Sequence, residues 1–154
     1  MPYWLMKSEP DELSIDDLAA APATPIPWFG VRNYQARNFM RDDMRVGDLI
    51  LFYHSSCAEP GIAGVVEVVS VAYPDETQFD TASKYYDAKA TRETPRWFNV
   101  DVRFVRKGGF LPLRRLRDCP ALAGMRLLAK GSRLSITPVE ADEWRLIESL
   151  TAAS

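Results

Sequence analysis

"GDLILFYHSSCAEPGIAGVVEVVSVAY", residues 47–73, decides how this chain is read. Gly47 and Asp48 make a turn, and "LILFYH" and "IAGVVEVVSVAY" are the two stretches richest in β-branched and aromatic residues. "SSCAEPG" between them has the length of a hairpin loop, so the spacing predicts an adjacent antiparallel pair at the centre of a sheet. Working outward, "YWLMKSE" (3–9) alternates well enough for a strand. In "WFNVDVRFVRK" (97–107), Phe98, Val100, Val102 and Phe104 alternate with polar neighbours, and "GSRLSITPV" (131–139) reads as a last strand.

The remaining segments read as short helices and connections. Ser14 precedes Ile15-Asp16-Asp17 as a capping hydroxyl, and the helix it starts runs to Ala20, before the proline-spaced "APATPIP". Asn33 is the expected N-cap of a helix to about Asp43, with Phe39, Met40 and Met44 available to a core. "FLPLRRLRD" (110–118) reads as a turn and helix start. Thr137, Pro138 and Glu140 are expected to form the capping box of a final helix that buries Trp144, Ile147 and Leu150. The class is α+β, with about five or six strands and short flanking helices. Residues 1–150 are expected to form one domain followed by a tail at 151–154. The stretch between Tyr73 and Trp97 shows no clean period, and a connection of that length inside a compact domain suggests a functional role for "YYDAK" at its middle.

Composition narrows the function. With 47% apolar residues in 154, the chain has enough material for one core, and it holds no run near the ~18 apolar residues of a membrane span. No membrane partner is expected, and the location predicted is cytoplasmic. Cys57 and Cys119 stand far apart without a CxxC partner and His54 is the only histidine, so neither a disulfide framework nor a metal site is expected. Charge is unevenly spread. Met1 to Asp80 carries 5 basic and 13 acidic side chains, whereas Arg103 to Arg133 carries 9 basic ones against Asp118 alone. Such asymmetry fits a polyanionic partner as well as mutual neutralisation across the fold. Arg106, Lys107, Arg126 and Lys130 are the candidates for contact with a nucleic-acid backbone.

Nucleophilic catalysis would have to use His54 with Ser55 or Ser56. Neighbours on a strand face opposite ways, which argues against the first pair and requires the loop to bend back for the second. No phosphate-binding glycine loop or nucleophile elbow occurs. Binding a flat heterocycle is better supported, because it needs rings for the faces and amide, guanidinium or hydroxyl groups for the edge. Trp4, Trp28, Tyr34, Tyr53, Tyr85, Tyr86 and Trp97 could supply the rings, although Trp4 and Trp97 lie within strands and suit core packing. Ser8, Arg32, Asn33, Asn38 and His54 could supply the edges, with capping as the plainer role for Asn33 and solvation for Arg37.

The segments "YWLMKSEP" (3–10), "WFGVRNYQARN" (28–38), "GDLILFYHSS" (47–56), "GIAGVVEVV" (61–69), "YPDETQFD" (73–80), "YYDAK" (85–89), "PRWFNVDV" (95–102) and "GSRLSITPV" (131–139) together resemble the EVE domain family. The resemblance implies a PUA-like mixed β-barrel, similar in layout to the readers of methylated adenosine, with a pocket for a modified base. It implies DNA or RNA carrying modified cytosine as partner and no cofactor, and it leaves open whether the domain works alone or in association with a nuclease or other nucleic-acid enzyme. Carried over position by position, it places Lys7, Ser8, Trp28, Arg32, Asn33, His54, Ser55 and Arg133 around the pocket, with Tyr34 beside them. The alternatives are an enzyme acting on a nucleotide or modified base, with His54, Asp80 or Asp87 as acid or base, and a protein-interaction module.

Overall fold

The computed structural model describes residues 3–129 and 134–152. Its centre is the parallel pairing of β1 (Tyr3–Ser8) with β3 (Leu49–His54), in a register that runs from Tyr3 opposite Leu49 to Ser8 opposite His54. Parallel neighbours need a crossover. Here it holds α1 (Ile15–Ala19), the two-residue β2 (Ile26–Pro27), α2 (Tyr34–Asn38) and a π-helical turn at Phe39–Asp43. The predicted central hairpin is β3 with β4 (Gly61–Val68). β4 pairs in turn with β7 (Asp101–Arg106), and β9 (Ile136–Pro138) closes against β1. The six strands run in the order β2-β7-β4-β3-β1-β9 as a mixed half-barrel, and β8 (Leu111–Pro112) pairs with β4 beside that path. A separate short ladder joins β5 (Tyr73–Pro74) to β6 (Phe98–Asn99).

The unbroken apolar string of β3 has a physical reason. Ile50 and Phe52 join Trp4 and Met6 in one core, with Trp28, Val66, Val102 and Ile136. Leu51 and Tyr53 join Leu5 and Ile62 in a second core under α3 (Leu113–Arg117) and α4 (Ala141–Ala152). A sheet covered on both faces requires apolar side chains at successive positions, not alternate ones. Gly64 permits close approach on β4: a Cβ there would lie 2.7 Å from the Arg106 carbonyl oxygen and 2.7 Å from Ile15 of α1.

Helix ends follow the sequence in two places and depart from it in one. Ser14 and Asp17 make a reciprocal capping box on α1, and the Asn33 side chain accepts from the Ala36 N–H at 3.0 Å. The helix predicted from Asn33 to Asp43 is α2 continued as the π-helical turn, in which the Met44 N–H reaches back to the Phe39 carbonyl at 2.8 Å. This keeps Phe39 against Trp4, with ring centroids 5.3 Å apart. At the C-terminal helix the expected capping box is displaced. Thr137 is buried in β9 opposite Leu5, and the cap is made three residues later, where the Glu140 N–H donates to the Glu143 carboxylate at 2.9 Å. Strand pairing holds Thr137 and Pro138 in extended backbone, so neither can begin the helix. The single "WFNVDVRFVRK" strand is likewise two pieces, β6 and β7, divided at Val100.

Trp4 links the two sides of the crossover, since its indole N–H donates to the Asp48 carboxylate at 3.0 Å and both residues are buried. Trp4→Phe keeps most of the packing and leaves that carboxylate one donor short. It should cost about 1–3 kcal/mol, read as a lower urea midpoint at unchanged slope.

Candidate nucleic-acid interface

β1 and β3 end side by side, and the chain that leaves them borders a cavity of about 430 Å³. Lys7, Ser8 and Glu9 border it from β1, Glu12 and Leu13 from the turn that follows, and Ser55 and Ser56 from the β3–β4 loop. Pro27 to Arg32 run along another side, Tyr85 reaches in from the long connection, and Ser135 stands before β9. Trp28 is the buried floor. Its N–H donates to the Val100 carbonyl at 2.9 Å, and its ring meets Phe52 edge-on with centroids 5.4 Å apart. Phe29, the next residue, is 47% exposed at the rim and packs edge-on to Tyr85 at 5.9 Å.

Gly30 is required twice over. Its φ of +85° disfavours a side chain, and a Cβ would lie 2.7 Å from the Tyr85 ring. Its N–H donates to Asp75 at 2.7 Å, and Asp75 is fully buried. The same carboxylate accepts from the Arg32 guanidinium at 3.1 Å, from the Thr77 N–H at 2.8 Å and from the Thr77 hydroxyl at 2.5 Å. Arg32 commits its whole fork: Nε and Nη2 donate to the Tyr85 carbonyl, Nη2 to Thr77, and Nη1 to Val31 and Asp75. Arg32 therefore lines the cavity as the clasp that holds Tyr85 over it.

The stretch from Tyr73 to Trp97 has no period because side chains hold it in place of a ladder. Buried Gln78 donates to the carbonyls of Asp75 and Trp97 and accepts from the N–H groups of Arg96 and Trp97. Asp87 accepts from the Trp97 indole at 2.7 Å, and that bond first, then the Lys89 N–H, holds its carboxyl below the usual range. The Tyr85 hydroxyl crosses the cavity mouth to Glu12 at 2.7 Å, and Lys84 pairs with the same carboxylate at 2.7 Å. These partners, Lys84 first, lower the Glu12 pKa.

Lys7, Ser8, Trp28, Arg32 and Ser55, expected from the sequence, come together at this cavity. The Lys7 side chain is half-buried, its ammonium has no hydrogen-bond or ion-pair partner among the described residues, and desolvation lowers its pKa. Ser8 turns its hydroxyl to the Leu13 carbonyl at 2.8 Å. Asn33, Tyr34 and His54 do not border the cavity. Asn33 is spent on capping α2. Tyr34 stacks on Trp97 at 4.7 Å, outside the cavity. The His54 Nε2 accepts from the Ile15 N–H at 3.1 Å and so caps α1, behind the site. Arg133 and Lys130 lie outside the described residues. Arg106 is paired with Glu148 at 3.2 Å and Lys107 with Asp16 at 2.5 Å, whereas Arg126 is exposed on a 3-10 turn at Arg126–Leu128. Among the ring candidates, Trp4 belongs to the core and Tyr53 faces the second core. Glu9, Glu12, Leu13, Phe29 and Ser135 were not singled out from the sequence. Only Phe29, beside Trp28 after the prolines, carried a local sign.

The sequence model of the EVE domain matches residues 2–150. Human thymocyte nuclear protein 1 is 43% identical over an alignment covering 96% of this chain and 73% of that protein. A crystal structure of a Pseudomonas syringae protein superposes with a TM-score of 0.92 at 51% identity, covering 97% of this chain and 99% of that one. The crystal structure of human THYN1 in complex with DNA containing 5-methylcytosine superposes with a TM-score of 0.90 at 42% identity, covering 97% of this chain and 96% of that one.

Two measurements probe this arrangement. Asp75→Ala leaves Arg32 without its carboxylate and loosens the clasp on Tyr85; breaking a largely buried pair costs about 3–5 kcal/mol, which thermal melting would register alongside faster proteolysis within residues 80–96. His54 accepts only when neutral, and burial, ahead of the opposing pull of Asp16, sets its pKa below 6.5. Because the folded value lies below the unfolded one, its contribution is complete above about pH 6.5 and is lost as pH falls from there through the folded value. His54→Gln should flatten that part of the stability profile in urea titrations.

Proposed function

This chain belongs to the EVE domain family, and on that premise we propose that it binds nucleic acid and captures a modified cytosine in the cavity over Trp28. The observation that carries the reading is the cavity itself, on a fold shared at 42% identity with a protein crystallised on 5-methylcytosine DNA. The volume suits a single heterocycle, within the ~300–1,000 Å³ common for small-ligand sites.

A paired base must leave the stack to enter, at a cost of a few kcal/mol. Inside, the aromatic lining is supplied by Trp28, Phe29 and Tyr85. Stacking on an aromatic offsets about 1–3 kcal/mol of that cost per base. The Watson–Crick edge of cytosine has two acceptors and one exocyclic amine. The Lys7 ammonium, without a partner among the described residues, is the donor for an acceptor, and Glu9 or Glu12 is the acceptor for the amine. A methyl group at C5 calls for apolar contact, which Pro27, Leu13 and Val31 supply. Every one of these roles is binding, and the reading assigns the chain no bond-making step.

Anisotropy titrations with matched oligonucleotides, one plain and one carrying 5-methylcytosine, test the reading directly. Tighter binding of the modified strand is expected, and equal affinities would remove it. Lys7→Met should weaken the modified strand by about 1.5–3 kcal/mol, roughly ten- to a hundred-fold, as expected for a lost hydrogen bond to a charged group; the same titration reads it.

A further inference from the structure

Outside the cavity, the second half of "GVRNYQARN" builds a surface for which cytosine capture has no use. Tyr34 lies flat on Trp97, with ring centroids 4.7 Å apart and planes 20° from parallel, and stays 45% exposed. The Arg37 guanidinium lies 4.7 Å from the centroid of the Tyr34 ring and Arg96 lies 5.7 Å from it, with Arg96 Nη2 also donating to the Tyr34 hydroxyl. Arg37 is held in place without being neutralised. Its Nε and Nη2 donate to Asn38 and its Nη1 to the Arg96 carbonyl, so three of its five N–H groups are committed. No carboxylate pairs with it among the described residues. Nearby, Arg41 is matched by Asp42 and Arg96 by Asp87, which leaves the charge of Arg37 in surplus. Burial, followed by Arg41, pulls the Arg37 pKa down, in keeping with like charges held together.

The surface is continuous with the cavity. Arg32, which borders the cavity, lies 5.3 Å from the same Trp97 ring that carries Tyr34 and 5.5 Å from Tyr85. Free N–H groups of a planar fork, set over an exposed ring, match the oxygens of a phosphodiester.

We propose that Tyr34, Arg37 and Arg96 form a second docking site beside the base cavity, which holds the sugar–phosphate backbone flanking the captured base. The proposal rests on the cytosine-capture reading for the direction of the strand. It gives the densest set of planar donors in the sequence two jobs: Arg32 and Asn33 build the cavity wall and its helix, and Tyr34 and Arg37 meet the backbone.

The test is to titrate plain and 5-methylcytosine oligonucleotides with the unmodified protein, Arg37→Gln, Arg96→Gln and Arg37→Lys, at salt from about 50 to 200 mM. Arg37→Gln should weaken both oligonucleotides by the same factor and reduce the slope of log K against log salt by about 1; Arg96→Gln should also weaken both by one factor, with a smaller fall in slope because Asp87 already matches its charge, while Arg37→Lys keeps the slope. Arg96 makes no side-chain bond to backbone, so Arg96→Gln probes the same site should Arg37→Gln disturb the segment whose Arg96 carbonyl it holds. Unchanged slopes in both glutamine variants would overturn the proposal, as would a loss confined to the modified strand, which would assign these residues to base reading. If the unmodified protein shows no preference for the modified strand, cytosine capture fails, and the slopes still decide whether a phosphate sits here.

Discussion

The mouth of the cavity is organised by one buried carboxylate. Asp75 receives hydrogen bonds from Gly30, from Arg32 and twice from Thr77, which brings residues from the crossover and from the long connection to one point. A fully buried anion in such a place is costly unless every lone pair is met. Here both oxygens are met, and meeting them sets the backbone of Gly30, the direction of Arg32 and, through the Tyr85 carbonyl, the ring that overhangs the floor. The wall is thus positioned by side-chain chemistry and not by membership of a strand.

The floor has a different origin. Parallel pairing of β1 and β3 makes both strands end at the same level, so Ser8 and His54 are opposite each other and the turns that follow diverge around a space. Because the sheet is covered on both faces, the strands themselves are occupied with packing, and the polar groups left for a ligand lie on their last residues and on the connections. Trp28 belongs to both parts: its ring packs edge-on with Phe52 in the core, and its position in the proline-spaced segment puts it at the cavity.

Charge is arranged more locally than the totals imply. The basic run after Arg103 is partly matched by Glu67, Glu148, Asp16 and Glu59 on neighbouring elements, which are exposed pairs of small energetic weight. Around the cavity the balance is finer. Lys7 is desolvated without a partner among the described residues, Glu12 is shared by Lys84 and Tyr85, and Arg37 is crowded by other guanidinium groups. Two cations without a carboxylate partner among the described residues, Lys7 and Arg37, therefore stand at and beside the cavity.

Much was legible in the residues alone. The central hairpin, the first and last strands, the Ser14 and Asn33 caps and the grouping of Lys7, Ser8, Trp28, Arg32 and Ser55 follow from apolar pattern, capping chemistry and family resemblance, all of which act over a few residues or are carried by short motifs. The role of each polar side chain was not legible. Arg32 as clasp, Asn33 and His54 as caps, and Tyr85 as overhang depend on partners 53, 3, 39 and 73 positions away. Three of those separations lie far beyond any local window, and even the short one leaves open whether a side chain caps or reaches outward. Sequence by itself determined which segments would be strands and which residue types would border the cavity; only the tertiary structure decided which donors are already satisfied by the protein and which are not, because each N–H or O–H has one proton to give and the competition for it is settled in three dimensions.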